Sequence, residues 1–238
     1  MLGRFHELSV PTTDIRASVE FYERLGFTQV ETGDVWSHPY GVLTDGRIVL
    51  GLHQHPSRPA SITFVHADVA GHGAELERRG VRLAFSRAGS DVFNEIGLTD
   101  PAGNLIVVLE ARTYSPPPPR ESGSLCGYFM QLSLPASDFG AASRFWEPLG
   151  FVATDESDVP YVHVPLTSDH LNIAFHRPRT LDRQALVFLD EEMGNRIGRL
   201  RELGIAPAEE LPRGLDPGTN AILEAPEGTL LLLLTGNY

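Results

Sequence analysis

Nine histidines lie along the chain, at positions 6, 38, 53, 55, 66, 72, 163, 170 and 176. Histidine changes charge nearest neutral pH and is a common metal ligand, so acid–base or metal chemistry is sought there first. His53 in LGLHQ and His176 in IAFHR end two similar apolar stretches. Side chains alternate along a strand, so His53 shares a face with Gly51 and His176 shares one with Ala174. His53 and His55 also fall on one side of an extended segment. These positions allow a metal site or an acid/base pair; the plainer reading is hydrogen-bonded histidines at a strand end. Trp36, Tyr40, Tyr161 and His163 are placed to close on a flat molecule by stacking. Arginines in Phe85-Ser86-Arg87 and Arg177-Pro178-Arg179 are able to receive an anion, although such charges are more often solvated.

Other chemistries are excluded by composition. All 19 basic residues are arginine, which removes Schiff-base and lysine-base catalysis, pyridoxal phosphate and the Walker A lysine. No GxGxxG, HExxH, GxSxG or EF-hand pattern is present. Cys126 is the only cysteine; it forms no internal disulfide, so a reducing, cytoplasmic setting is expected. The formal charge of −12 repels phosphate backbones and argues against nucleic acid as a partner. The longest apolar run, Leu230 to Leu234, is too short to span a bilayer, and no signal peptide precedes the first pattern.

The elements that must position these residues come in an internal repeat. ELSVPTTDIRASVEFYERLGF, from Glu7, and QLSLPASDFGAASRFWEPLGF, from Gln131, agree at ten of twenty-one positions with no gap. ELERRGV matches RLRELGI further on, and DPAGNLIVVLE from Asp100 matches APEGTLLLLLT from Ala225. Between the copies lies TYSPPPPRESGS, whose four consecutive prolines favour an extended spacer. The chain therefore divides into a first domain over 1–113, a linker over 114–124 and a second domain over 125–238. Each half reads as strand, helix, strands, then again strand, helix, strands. Thr13 or Asp14 caps the first helix, and Gly26 ends it. Strands are expected around Val35 to Leu43 and over Ile48 to His53, joined by a Thr-Asp-Gly turn. The order is βαβββ, four times.

VPTTDIRASVEFYERLGF, DPAGN at Asp100 to Asn104, LPASDFGAASRFWEPLGF and the weakened APEGT together resemble the vicinal oxygen chelate superfamily, which includes glyoxalase I, bleomycin-resistance proteins, fosfomycin-resistance enzymes and extradiol dioxygenases. The resemblance covers nearly the whole chain except the linker. It implies an α+β fold: four βαβββ units forming two curled half-barrel domains with helices outside. It also implies metal ligands on the first and last strands of the units, facing the concave side of the sheet. The matching first-strand positions are Glu7, Ser61, Gln131 and Ala185; the last-strand positions include Val107 and Leu232. A catalytic metal needs about three donor side chains, and valine, leucine and alanine supply none. No metal and no cofactor is therefore expected, a divalent metal at a degenerate site being the alternative. Glu7 then reads as a polar anchor or a general base. His6, one residue out of phase, is expected to face helix or solvent.

Residues in phase with those positions, Val49, Val107, Leu109, Val187, Leu232 and Leu234, make the concave faces apolar, while Ile62, Phe64, Ile106 and Val108 cover the helices. Such a face encloses an apolar ligand or is filled by the protein's own side chains. The expected function is metal-independent binding of a small apolar or aromatic molecule. The alternatives are an enzyme of the superfamily (lyase, isomerase or dioxygenase) and an interaction protein with self-filled cups. Candidate ligand-binding residues are Glu7, Ser9, Trp36, Tyr40, His53 and Ser61 in the first half, and Gln131, Ser133, Tyr161, His163 and His176 in the second. A chain with four units is able to pair them internally, so monomer and homodimer are both allowed.

Overall fold

The structure is a computed structural model and describes residues 1–32, 36–55, 59–114, 123–208 and 210–237. Most of the expected linker, 115–122, and Val35 of the expected strand lie outside the described residues.

The first unit is β1 (Arg4–Pro11), α1 (Ile15–Arg24), β2 (Thr28–Val30), β3 (Tyr40–Thr44) and β4 (Val49–His53). The second is β5 (Ser61–His66), α2 (Val69–Arg78), β6 (Leu83–Arg87), β7 (Glu95–Thr99) and β8 (Leu105–Glu110). The third is β9 (Tyr128–Pro135), α3 (Phe139–Trp146), β10 (Val152–Ala153), β11 (His163–Thr167) and β12 (Ile173–His176). The fourth has β13 (Ala185–Asp190), α4 (Met193–Glu202), β14 (Ala221–Glu224) and β15 (Leu230–Thr235), one strand fewer than the pattern among the described residues.

Helix starts follow the repeat. Asp14, Asp68 and Asp138 each accept a hydrogen bond from the backbone N–H three residues on, at 3.1, 2.9 and 2.9 Å, which satisfies a donor the helix leaves unpaired. The cap of α1 is thus Asp14. Gly26 ends that turn at φ +90°, where a β-carbon would be strained and would also meet the carbonyl of Gly123 at 2.8 Å.

Two curled sheets result, and neither closes into a barrel. The first runs β2-β3-β4-β1-β5-β8-β7-β6 and the second β10-β11-β12-β9-β13-β15-β14. In each sheet the first strands of two units pair antiparallel, β1 with β5 and β9 with β13. Each half therefore forms its own cup, and Glu7 and Gln131 stand in different sheets. Alternation divides the faces as expected. Ile62, Phe64, Ile106 and Val108 join the large core beneath the helices, while Val65, Val107 and Leu109 cluster on the concave side.

That large core takes residues from both halves, among them Tyr22, Leu25, Trp146 and Phe188. Polar bonds cross the same seam. The Tyr22 hydroxyl donates to Glu227 at 2.7 Å, and the Trp146 indole donates to Asp100 at 3.2 Å. Backbone bonds join Leu125 to Leu25 at 2.8 Å and Leu2 to Leu149 at 3.2 Å. No helix among the described residues is long and apolar enough to cross a membrane.

Candidate functional site

Glu7 lies on β1 with its side chain 1 % exposed, on the concave face of the first sheet. A buried carboxylate must be paired or strongly hydrogen-bonded, and neighbouring strands supply the donors. Ser9, two residues on along β1, donates at 2.6 Å. The Tyr40 hydroxyl on β3 donates to the other carboxylate oxygen. His53 on β4 stands 3.0 Å away through Nε2. Tyr40 and His53 are direct register partners, and their rings lie 4.6 Å apart. Burial works against ionisation of Glu7, but the bonds from His53, Ser9 and Tyr40 and the nearby His6 outweigh it, so its carboxyl is held below the usual range.

His6 departs from expectation. The β1–β5 register shifts between Phe5 and Glu7, and such a bulge re-aims a side chain. His6 Nε2 sits 3.8 Å from Glu7, and its ring meets Tyr114 edge-on at 5.3 Å. Burial, and to a smaller extent the proximity of His53, lower its pKa against the opposing pull of Glu7.

Two chains of polar groups connect Glu7 with the space above it. One passes through imidazoles, with His53 Nδ1 lying 2.9 Å from Nε2 of His38. The other passes through hydroxyls: Ser9 to Thr63 at 2.8 Å and Thr63 to Ser61 at 3.2 Å. Both end at a cavity of about 410 Å³ whose walls include Trp36, His38, His55, Ser61, Phe85 and Val107. Arg87 and Glu95, paired at 2.6 Å, line it as well, so this arginine already has a carboxylate partner. Phe93, half exposed, stands 6.1 Å from Trp36.

Gly51 makes the arrangement possible. It is the register partner of Ser9, and a β-carbon there would overlap all three atoms of the Glu7 carboxylate. Gly51→Ala is therefore expected to push Glu7 out of its bonds and to lower unfolding free energy by at least about 2 kcal/mol. Urea denaturation of the variant checks this; unchanged stability would mean that the carboxylate does not rest on Gly51.

The second cup is built differently. Gln131, Ser133, Tyr161, His163 and His176 are all buried there, as the repeat requires, and His176 pairs with Pro135 as His53 pairs with Pro11. The space is occupied by Leu181, Val187, Ile222, Leu230, Leu232 and Leu234, with Leu211 and Leu215 packed against them. The last two come from the segment that replaces the strand missing in the fourth unit. His176 Nε2 lies 3.1 Å from the carbonyl of Leu181 and its Nδ1 lies 2.7 Å from the Ser133 hydroxyl. A carbonyl only accepts, so Nε2 carries the proton and Nδ1 accepts from Ser133. Burial pushes the His176 pKa down to about 4, which keeps the ring neutral.

The candidates drawn from sequence thus fall into two clusters. Glu7, Ser9, Trp36, Tyr40, His53 and Ser61 surround the connected network and cavity; the five from the second half sit in a filled cup. Thr63 and His38 were missed. His38 carried a signal, because Trp36, His38 and Tyr40 alternate and share a face.

Comparison with known proteins agrees with this architecture. Residues 4–108 match the model of the Glyoxalase/Bleomycin resistance protein/Dioxygenase superfamily. The match lies within the first half of the chain, and those residues are similar to the superfamily. The solved structures similar to this chain include a catechol 2,3-dioxygenase, with a TM-score of 0.63 and 18 % identity over 98 % of this chain and 88 % of the other. Homoprotocatechuate 2,3-dioxygenase from Arthrobacter globiformis has a TM-score of 0.63 and 17 % identity over 99 % and 80 %. An extradiol ring-cleaving dioxygenase from Brevibacterium fuscum has the same score and identity over 99 % and 72 %. At such identity the likeness is one of fold. Among curated proteins none matches significantly.

The expectation that the protein needs no cofactor is corrected here. The solved relatives in fold are extradiol dioxygenases, the branch of the superfamily that the resemblance associates with a divalent metal, so the likeness does not support a cofactor-free protein. The error lay in treating aliphatic residues at inherited positions as an answer for the whole fold. Those positions still do not compose a ligand set. Val107 has no donor atom, Ser61 ends a hydroxyl chain, and both oxygens of Glu7 already accept hydrogen bonds. Among the described residues no group of three or more His, Cys, Asp or Glu side chains is arranged to hold a metal.

Proposed function

We propose that the first half binds a small molecule with a planar ring and a polar substituent, and that the second half serves as scaffold. The observation that carries this reading is the cavity of about 410 Å³, whose lining combines apolar and polar side chains. Trp36, Phe85 and Val107 offer a ring its flat apolar contacts. His38, His55 and Ser61 offer hydrogen bonds that would orient it. The size falls within the usual range for small-ligand sites. A ring-cleaving dioxygenase activity is the enzymatic version of this reading, supported by the fold likeness alone.

The test is a thermal-shift and tryptophan-fluorescence screen with substituted one- and two-ring aromatics. A ligand at a hundred times its dissociation constant is expected to add about 2.7 kcal/mol to stability. The fluorescence readout is specific, because Trp36 lines the cavity and Trp146 is buried in the core. Trp36→Ala should abolish the quenching and at least most of the stabilisation. The reading fails if no aromatic raises the melting temperature, or if Trp36→Ala binds as well as the native chain. A parallel arm with catechol, oxygen and ferrous or manganous ion, followed by absorbance of a ring-opened product, separates binding from ring cleavage.

A further inference from the structure

We infer that the ligand of the first cup carries two aromatic rings, the inner one bound in the cavity and the outer one held at its mouth against Phe93. The inference rests on the binding reading above and names the class of molecule that the cup admits.

Phe93 is the residue that calls for this. Of the twelve phenylalanines and two tryptophans in the chain, it alone is exposed, at 51 %. Val92 beside it is exposed as well. A lone apolar side chain at the surface needs no explanation, but a large ring beside a second apolar side chain at the edge of a concave site is surface for a ligand to cover.

The loop that carries Phe93 is anchored. It joins β6 to β7, and the strand ends that it joins, Arg87 and Glu95, both line the cavity. Asn94 closes it. Its side-chain oxygen accepts from the backbone N–H of Gly89 at 2.8 Å, and its amide donates to Glu110 on β8 at 3.0 Å. The backbone N–H of Glu110 donates in turn to the Asn94 carbonyl at 3.0 Å. The residue next to Phe93 is thus tied to the sheet, and the ring is held beside Trp36 with the two planes inclined at 56°. Phe93 does not stack on Trp36 face to face, so its own face stays available to a flat group.

The width of the site fits two rings. Its lining runs from Ser61 and Val107, both buried, to Arg87, whose side chain is largely exposed. Ser61 lies on β5 and Arg87 on β6, and the order β5-β8-β7-β6 puts three strand spacings between them, about 14 Å. One ring covers only part of that width; two joined rings cover most of it. The second half supplies an internal comparison. Among the described residues it has no strand between α4 and β14, hence no counterpart of this loop, and its cup is filled by leucines. The exposed ring accompanies the open cavity.

Titration calorimetry of the full chain with phenol and 4-phenylphenol tests the inference. The native chain is expected to bind the two-ring probe at least about tenfold more tightly than the one-ring probe. Phe93→Ala should weaken 4-phenylphenol about tenfold and phenol by less than about threefold, whereas Phe93→Tyr, which keeps the ring, should leave both within about threefold of native. Asn94→Ala, which loosens the loop, should weaken 4-phenylphenol and spare phenol. If phenol binds too weakly to measure, loss of 4-phenylphenol in Phe93→Ala and its retention in Phe93→Tyr decide the matter. Native affinity no higher for 4-phenylphenol than for phenol overturns the two-ring assignment and leaves the cavity reading standing, as does a Phe93→Ala variant that binds both probes like the native chain or loses both equally. If no aromatic of either size raises the melting temperature, the cavity reading and this inference fall together.

Discussion

Glu7→Ala is expected to destabilise the protein by about 3–5 kcal/mol, among the largest effects of any single substitution in the first half. The cost does not come from lost apolar area. It comes from removing the acceptor that the Tyr40 hydroxyl and His53 Nε2 share in the native fold. Ser9 is partly rescued, because Thr63 remains 2.8 Å away. Glu7→Gln keeps the volume and one acceptor, so about 1–2 kcal/mol is expected; Tyr40→Phe removes a single donor and should cost about 1 kcal/mol. Chemical denaturation of the three variants at pH 7 measures the series. If Glu7→Ala falls within about 0.5 kcal/mol of native, the carboxylate is not the hub of the network.

The second large effect is loss of stability in mild acid. His176 has its pKa pushed from 6.5 down to about 4 by burial. Between those pH values the unfolded chain binds a proton that the folded chain refuses, so stability falls as pH falls. The stability is whole above pH 6.5 and has dropped by about 3 kcal/mol near pH 4 from this ring alone. His72, stacked on His66 at 4.3 Å, is also lowered to about 4 by burial; its partial exposure makes its contribution smaller. Glu7 adds its own loss further down, because a carboxyl held below its usual 4.5 gives up stability only as pH drops through its folded value. Urea midpoints at pH 7.5, 6, 5 and 4.5 test the slope. His176→Asn should flatten it between pH 6.5 and 4.5; an equally steep slope in that variant would remove His176 as its source.

Much of the fold was legible because a period-2 or period-3.6 pattern and a duplicated motif are local properties. Asp14, Asp68 and Asp138 sit where helix starts demand them, and Ile62 and Ile106 alternate as buried strands must. The family resemblance carried the rest of the topology. The site was legible only in pieces. Glu7, Ser9, Tyr40 and His53 were each singled out, yet their convergence on one carboxylate depends on register between β1, β3 and β4, which no single strand encodes. His6 escaped because a bulge is a property of a strand pair. Self-filled cups were among the alternatives, but the sequence did not single out the second, because Leu211 and Leu215 arrive from a segment where the repeat pattern lapses. The cofactor expectation was wrong for a different reason: it inferred the needs of a fold from a register of single positions.

The seam between the halves has a consequence for the molecule as a machine. Asp100 takes the Trp146 indole, and Glu227 takes the Tyr22 hydroxyl, so each copy closes over a polar group of its twin. Either copy made alone would present an orphaned indole or phenol and a broad greasy flank to water. The boundary between the two copies of the repeat is therefore not where the folded body comes apart, and a nick there should leave two fragments that still travel as one particle.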